Sequence, residues 1–205
     1  MKNLLASLLT LVTAATLAVH APASAHTVDT GTPNGQEIGA LALDANDFYA
    51  GQVSFTTNAL IQSAFAHLLG GAAGETFTVS LYDNAANVPG ATRYTTTATY
   101  GADGWNGASG LSGWLVGPGS YWIAFEVGAA DTLGSASITG ALLDVGAPNP
   151  LARTAFDAGS GYVATSRPLT FGVRLDARVV PEPSTMALVF LGLGLIVAAI
   201  RRRAR

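Results

Sequence analysis

The chain has 205 residues, 49% of them hydrophobic and only 11% charged, with a formal net charge of −3 and no cysteine. The missing cysteine excludes disulfide staples, thiol catalysis and Cys-based zinc sites. The net charge hides an asymmetry: residues 26–180 hold nine Asp and three Glu against five Arg and no Lys, a formal −7, while the other basic residues sit mostly at the C-terminus. That middle region carries no basic nucleic-acid footprint. Its length of about 155 residues is enough for one domain with a real core.

The N-terminus has the pattern of a secretory signal helix. Lys2 supplies the positive charge, Leu4 to Val19 the apolar segment, and Ala23-Ser24-Ala25 the small-residue cleavage site. Cleavage after Ala25 leaves His26 as the new terminus; an uncleaved anchor is the alternative. A terminal His offers its amine and imidazole to copper, which imidazole suits. The only other His downstream is His67, in a mostly apolar stretch where a satisfied core or sheet-surface histidine is commoner, so no metal is assigned. Asp29-Thr30-Gly31 is the triplet of aspartic proteases, a chemistry that needs two such carboxylates sharing a proton. Only one triplet is present, because Asp144-Val145-Gly146 lacks the hydroxyl residue.

Strand signals then dominate. QVSFTT (52–57) is a short candidate, and ALIQSAFAHLLGG (59–71) reads as a strand with Ile61, Ser63, Phe65, His67 and Leu69 on one face, though its Ala and Leu content permits a helix. In ETFTVSLYD, Phe77, Val79 and Leu81 alternate with Thr78, Ser80 and Tyr82. TRYTTTATY (92–100) follows. GPGSYWIAFEV sets Tyr121, Ile123, Phe125 and Val127 against Trp122, Ala124 and Glu126. SASITGALLDV (135–145) comes next, and RPLTFGVRLDA points Leu169, Phe171, Val173 and Leu175 inward with Arg174 and Asp176 outward. Turn formers fill DNAANVPG, GADGWNGASG, GPG and GAPNP. Roughly eight strands at this spacing predict an all-β sandwich or jelly roll over 26–178.

Site chemistry is sparse. Asp44, Asn46 and Asp47, and Asp83, Asn84 and Asn87, cluster oxygen ligands of the kind calcium takes. Asx residues in turns more often satisfy local backbone, so the expected cofactor is none, with calcium the metal to consider. Trp105, Trp114 and Trp122 can stack on sugars beside an acid such as Asp103 or Glu126. Packing is the commoner fate of such rings; Trp105, in a Gly-rich loop, is the candidate glycan contact. No GxSxG, HExxH or Ser-His-Asp set occurs, and an enzyme is not expected.

The tail is VPEPSTMALVFLGLGLIVAAIRRRAR. Pro181 and Pro183 fix their own φ and push Val180 and Glu182 away from helix, predicting a stiff extended peptide that displays one carboxylate. A helix-start signal is the bland alternative. Met186 to Ile200 is uncharged and, as a helix, about 22 Å long, a short single transmembrane helix against a core of roughly 30 Å. Arg201, Arg202, Arg203 and Arg205 hold the cytoplasmic side, so the domain lies outside.

A cleaved signal, a polar region, Val-Pro-Glu-Pro-Ser, an apolar helix and a terminal Arg cluster together resemble the PEP-CTERM proteins. These are exported proteins of Gram-negative bacteria, many of them makers of exopolysaccharide. The resemblance implies that residues 179–205 are a sorting signal, with Pro181, Glu182 and Pro183 recognised by an exosortase, a membrane protease-transpeptidase. It implies transient anchoring in the inner membrane, then the cell surface or extracellular matrix. The body, with DTGTPNG, YAGQVSFTT, FTVSLYDNAANVPG, GPGSYWIAFEV and PLTFGVRLDA, is similar to the ectodomains of "choice-of-anchor" surface proteins, in which Leu-Tyr-Asp is followed by a Pro-Gly turn. That supports the β-sandwich and brings no catalytic or ligand residue. The expected role is structural or adhesive in a biofilm or exopolysaccharide matrix; the alternative is a carbohydrate-binding module or calcium-dependent glycan binder, with extracellular polysaccharide as partner.

Overall fold

The computed structural model describes residues 25–33, 41–142, 150–165, 169–180 and 183–203. In chain order the strands are β1 (Ala25–Asp29), β2 (Leu41–Leu43), β3 (Phe48–Phe55), β4 (Ala59–Leu69), β5 (Thr76–Ala85), β6 (Val88–Thr99), β7 (Gly104–Ser109) and β8 (Leu115–Val116). There follow β9 (Gly119–Glu126), β10 (Ala136–Ile138), β11 (Gly140–Leu142), β12 (Thr154–Asp157), β13 (Val163–Ala164), β14 (Leu169–Phe171) and β15 (Val173–Val179), then helix α1 (Pro183–Arg203). The first sheet runs β1-β15-β4-β10-β2, with β7 and β8 on the other edge of β4. The second runs β13-β12-β3-β9-β5-β6, and β11 with β14 forms a short ribbon. All pairings are antiparallel. The described chain is mostly β, as the alternation predicted.

The core lies between the two sheets. Phe77, Val79 and Leu81 from β5 meet Ile123 and Phe125 from β9, against Ile61, Leu68, Val173 and Leu175 of the first sheet. Each of these side chains is fully buried, which at 25 cal/mol per Å² contributes roughly 1.5–3 kcal/mol apiece. Within the ambiguous stretch 59–71, Ala59–Leu69 form a strand, but its faces are not those of a simple alternation. Ala59 and Ile61 point inward, and then Ala64, Ala66 and Leu68 do. A bulge causes the switch: Asp176 lies opposite Ser63 while Ala177 lies opposite Ile61, so β4 carries one extra residue. One extra residue moves every later side chain to the other face. Phe65, His67 and Leu69 therefore turn outward and stay half-buried.

Two further expectations change. Trp122, Ala124 and Glu126, assigned to an outer face, are buried as well, because Tyr82 and Tyr162 pack over them as a second small layer. The hairpin between β5 and β6 turns at Ala86 (φ 50) and Asn87 (φ 69), the two positive-φ positions of a type I′ turn. Pro89 and Gly90 lie instead inside β6, with Pro89 opposite Asn84. A sheet-edge strand can take a proline there because its outer side needs no ladder donor.

The strand over 169–176 is interrupted at Gly172, where a Cβ would come 2.5 Å from the Cβ of His67. Residues 1–24, with Ala23, and residues Pro181, Glu182 and Arg205 lie outside the described residues. Pro183 is the first residue of α1, the first-turn position that proline tolerates, so any extended peptide is confined to the residues before it. The helix has 21 residues, about 31 Å at 1.5 Å per residue. Among the described residues no helix is long and apolar enough to cross a membrane. The side chains of 186–188, 190–191 and 197–198 are outside the description, and a spanning role for Met186–Ile200 rests on sequence.

Candidate functional site

The candidate glycan contact, Trp105, sits on the outer face of the first sheet. It lies opposite His67 in the β7–β4 ladder, and the two rings meet edge-on at 5.3 Å. Arg174 reaches across from β15 and places its guanidinium carbon 4.0 Å from the Trp105 ring centroid, a cation–π contact that occupies one ring face. Asp29 fixes that arginine through a 3.1 Å contact to Nε, and its other oxygen accepts the Gly31 amide at 2.8 Å. The protease-like triplet is thus an ion-pair and turn device here. Trp105 is half-buried, with His67 held from the side by Thr139 Oγ1 at 2.7 Å. Nothing near Trp105 in the sequence points to Arg174; the ladder brings it there from 69 residues away.

The other two tryptophans are interior. Trp114 is 5% exposed and stacks on Tyr94 at 5.5 Å. Trp122 is fully buried and donates through Nε1 to Asn84 Oδ1 at 2.9 Å. A cleft of about 490 Å³ opens between the edges of β6 and β7, lined by Thr95, Thr97, Ser109, Ser112 and Trp114 among others. Its hydroxyls offer donors and acceptors to a polar chain.

The two acids considered beside these rings behave differently. Asp103 accepts the Tyr100 hydroxyl at 2.6 Å and the Gly70 amide at 2.8 Å, which hold its carboxyl below the usual carboxylate range. Glu126 is 9% exposed on the second sheet. It accepts Ser80 Oγ at 2.6 Å and the hydroxyls of Tyr82 and Tyr162 at 2.7 Å each. Burial, then the bond to Glu126, pushes the Tyr82 phenol up to about 12; burial and the Glu126 charge push Tyr162 up further. No linear signal announced this cluster, since Tyr162 stands 36 residues from Glu126.

The candidate calcium ligands have partners within the fold, Asp44 in its own loop and Asp83 and Asn84 across neighbouring strands. Asp44 Oδ1 accepts the Asn46 amide at 2.8 Å, Asp83 pairs with Arg93, and Asn84 accepts Gln52 and Trp122. His26 lies opposite Ala177, which lies opposite Ile61, six residues along β4 from His67. That spacing is about 20 Å at 3.3 Å per residue, so the ladder separates the two histidines. Among the described residues no group of three or more His, Asp or Glu is placed to hold a metal.

At the tail, the Val180 amide donates to the Asn58 carbonyl at 2.8 Å, so the fold holds the chain up to the residue before Pro181. Arg201, Arg202 and Arg203 occupy the last turn of α1 and are exposed, where cations favour the helix dipole.

Three comparisons bear on these features. No curated protein matches the chain. The cysteine protease and lectin-like domains of Cwp84, a surface layer associated protein of Clostridium difficile, match with a TM-score of 0.51 at 13% identity, over 73% of this chain and 37% of that one. The protein thus spans little more than a third of that structure, and the likeness is one of fold. Residues 179–203 match the PEP-CTERM protein-sorting motif. The chain is therefore a β-rich domain followed, at residues 179–203, by a segment that matches the PEP-CTERM protein-sorting motif.

Proposed function

We propose that the protein is a non-enzymatic, exported surface protein whose tail is processed by an exosortase-type membrane transpeptidase. The carrying observation is the sorting motif at residues 179–203, which ends in three arginines on the last turn of a helix. In this reading the signal is cleaved after Ala25, and α1 with Arg201–Arg205 holds the chain in the inner membrane. Pro181, Glu182 and Pro183 are the element the enzyme recognises. The delivered sandwich has a structural or adhesive role in an exopolysaccharide or biofilm matrix. Surface display of the Pro181→Ala/Glu182→Ala protein tests this: display lost with folding intact supports sorting, and unchanged display reduces the tail to a membrane span.

A second reading is glycan binding, favoured by the half-buried Trp105 ring beside Arg174 and His67. The fold neighbour includes a domain described as lectin-like, but at 13% identity it supports the fold only. Polysaccharide pull-down that vanishes in Trp105→Ala, with or without chelator, separates this reading and its calcium-dependent form from a purely structural one.

A further inference from the structure

The domain and the tail helix are separated by less chain than a processing enzyme needs. β15 ends at Val179, and the Val180 amide still donates to the Asn58 carbonyl at 2.8 Å. Helix α1 begins at Pro183. Residues 181 and 182 alone lie between, and fully extended they span about 7 Å. The matched sorting motif itself starts at residue 179, so its first two residues are built into the sheet edge. An enzyme that takes its substrate as an extended peptide pairs several residues with its own groove, and it acts on chain that has come free of its fold. Two residues do not fill such a groove. The remaining length has to come from the end of β15 or from the start of α1.

The end of β15 is the easier source. Ala177, 2% exposed, is its last core residue; Arg178 is exposed, and Val179 and Val180 are half-buried. Releasing residues 178–180 therefore leaves the core closed. Their backbone is already extended, so its donors and acceptors can pass from one strand edge to another without refolding. Few contacts hold them. On one side Val179 lies opposite Ala59 and Arg178 opposite Leu60. On the other, Arg178 lies opposite Ala25, which departs with the signal in the proposed processing. β4 itself stays in place, because Ala59 and Leu60 also pair with Val116 and Leu115 of β8. Unwinding α1 would instead bare backbone groups to lipid, where no water satisfies them.

Release lengthens the free peptide to residues 178–182, about 17 Å when extended. We propose that Arg178, Val179 and Val180 are substrate residues: they leave the β4 edge at residues 58–60 and enter the processing enzyme together with the Pro-Glu-Pro motif. The proposal rests on the reading of the tail as an exosortase substrate.

The absence of cysteine permits a clean lock. Ala59→Cys/Val179→Cys joins two facing residues, and the Cα separation of an antiparallel pair, about 4.5 or 5.5 Å, suits a disulfide. The full chain, purified in detergent, is incubated with membranes of cells that carry an exosortase, and loss of the tail is followed by mass. The oxidised chain should lose its tail at least ten-fold more slowly than the unaltered chain and regain the rate on reduction. A Gly-Ser-Gly insertion after Val180 supplies the missing length. It should restore the oxidised chain and, in an arm that needs no disulfide, speed the unlocked chain several-fold. Cutting of the oxidised chain at the full rate, or no gain from the insertion in the unlocked chain, overturns the release of β15 and leaves the tail reading intact. An unaltered chain that stays uncut, while the same membranes cut another sorting substrate, overturns the exosortase reading itself.

Discussion

The outer faces of the two sheets each place an aromatic ring near a charged group, and they have opposite fates. On the second sheet, Glu126 is nine-tenths buried and its three hydroxyl partners leave it no role toward solvent. On the first sheet, Trp105 keeps part of its ring in solvent while Arg174 covers one face. An acid beside an aromatic ring is therefore not in itself a site. What decides is whether another segment closes over the pair, as Tyr162 does on the second sheet.

The sharpest way to break this contrast is Glu126→Ala. It strands the hydroxyls of Ser80, Tyr82 and Tyr162 in a largely dry setting, each at about 1–3 kcal/mol, so denaturant unfolding should show a loss of about 3 kcal/mol or more. Glu126→Gln keeps an acceptor and should lose less. A loss below 1 kcal/mol for the alanine variant would mean the cluster is wet and open.

The tyrosines give the same contrast a pH signature. Burial, then the bond to Glu126, pushes the Tyr82 phenol up to about 12 from an ordinary value of 10. A raised folded-state value favours the neutral phenol, so its stabilisation is complete below pH 10 and disappears as pH rises from 10 toward 12. Unfolding midpoints measured across that window should fall, and less steeply in Tyr82→Phe.

On the open face the effects shrink. Arg174→Ala removes a partly exposed cation–π contact and an exposed ion pair, together about 1 kcal/mol, while red-shifting Trp105 emission as its covered face meets water. If the emission does not move, Arg174 is not seated on that ring. The smallest effect is a gain: Ala86→Gly relieves a positive φ, is offset in part by the freer unfolded glycine, and should raise stability in denaturant unfolding by about 0.5 kcal/mol.

These differences also show what was readable beforehand. The alternation in 76–83 and 119–127 gave correct strands because inward residues there are large and apolar, and burial follows period. It gave no sign that the opposite face of β9 is buried as well, since Tyr162 arrives from a distant segment. The bulge at Ser63 was invisible for another reason: Ala and Ser fit either face of β4, so the pattern around them carries little register information. Val-Pro-Gly drew the turn to Pro89, whereas the type I′ positions fell on Ala86 and Asn87, a poor and a good left-handed residue. The tail motif was legible because it is contiguous. Trp105 reads from its glycine neighbours as an exposed loop ring, whereas it lies half-buried within β7, and its arginine was not legible, because only the folded ladder brings Arg174 to it.

The decisive measurement is the intact mass of the protein extracted from the surface of cells that express it. A sorted chain should begin at His26 and lack the residues beyond the Pro-Glu-Pro motif, well short of the 20.8 kDa of the full sequence. Recovery of the full-length mass, with Met1 and Arg205 both present, would contradict sorting through this tail.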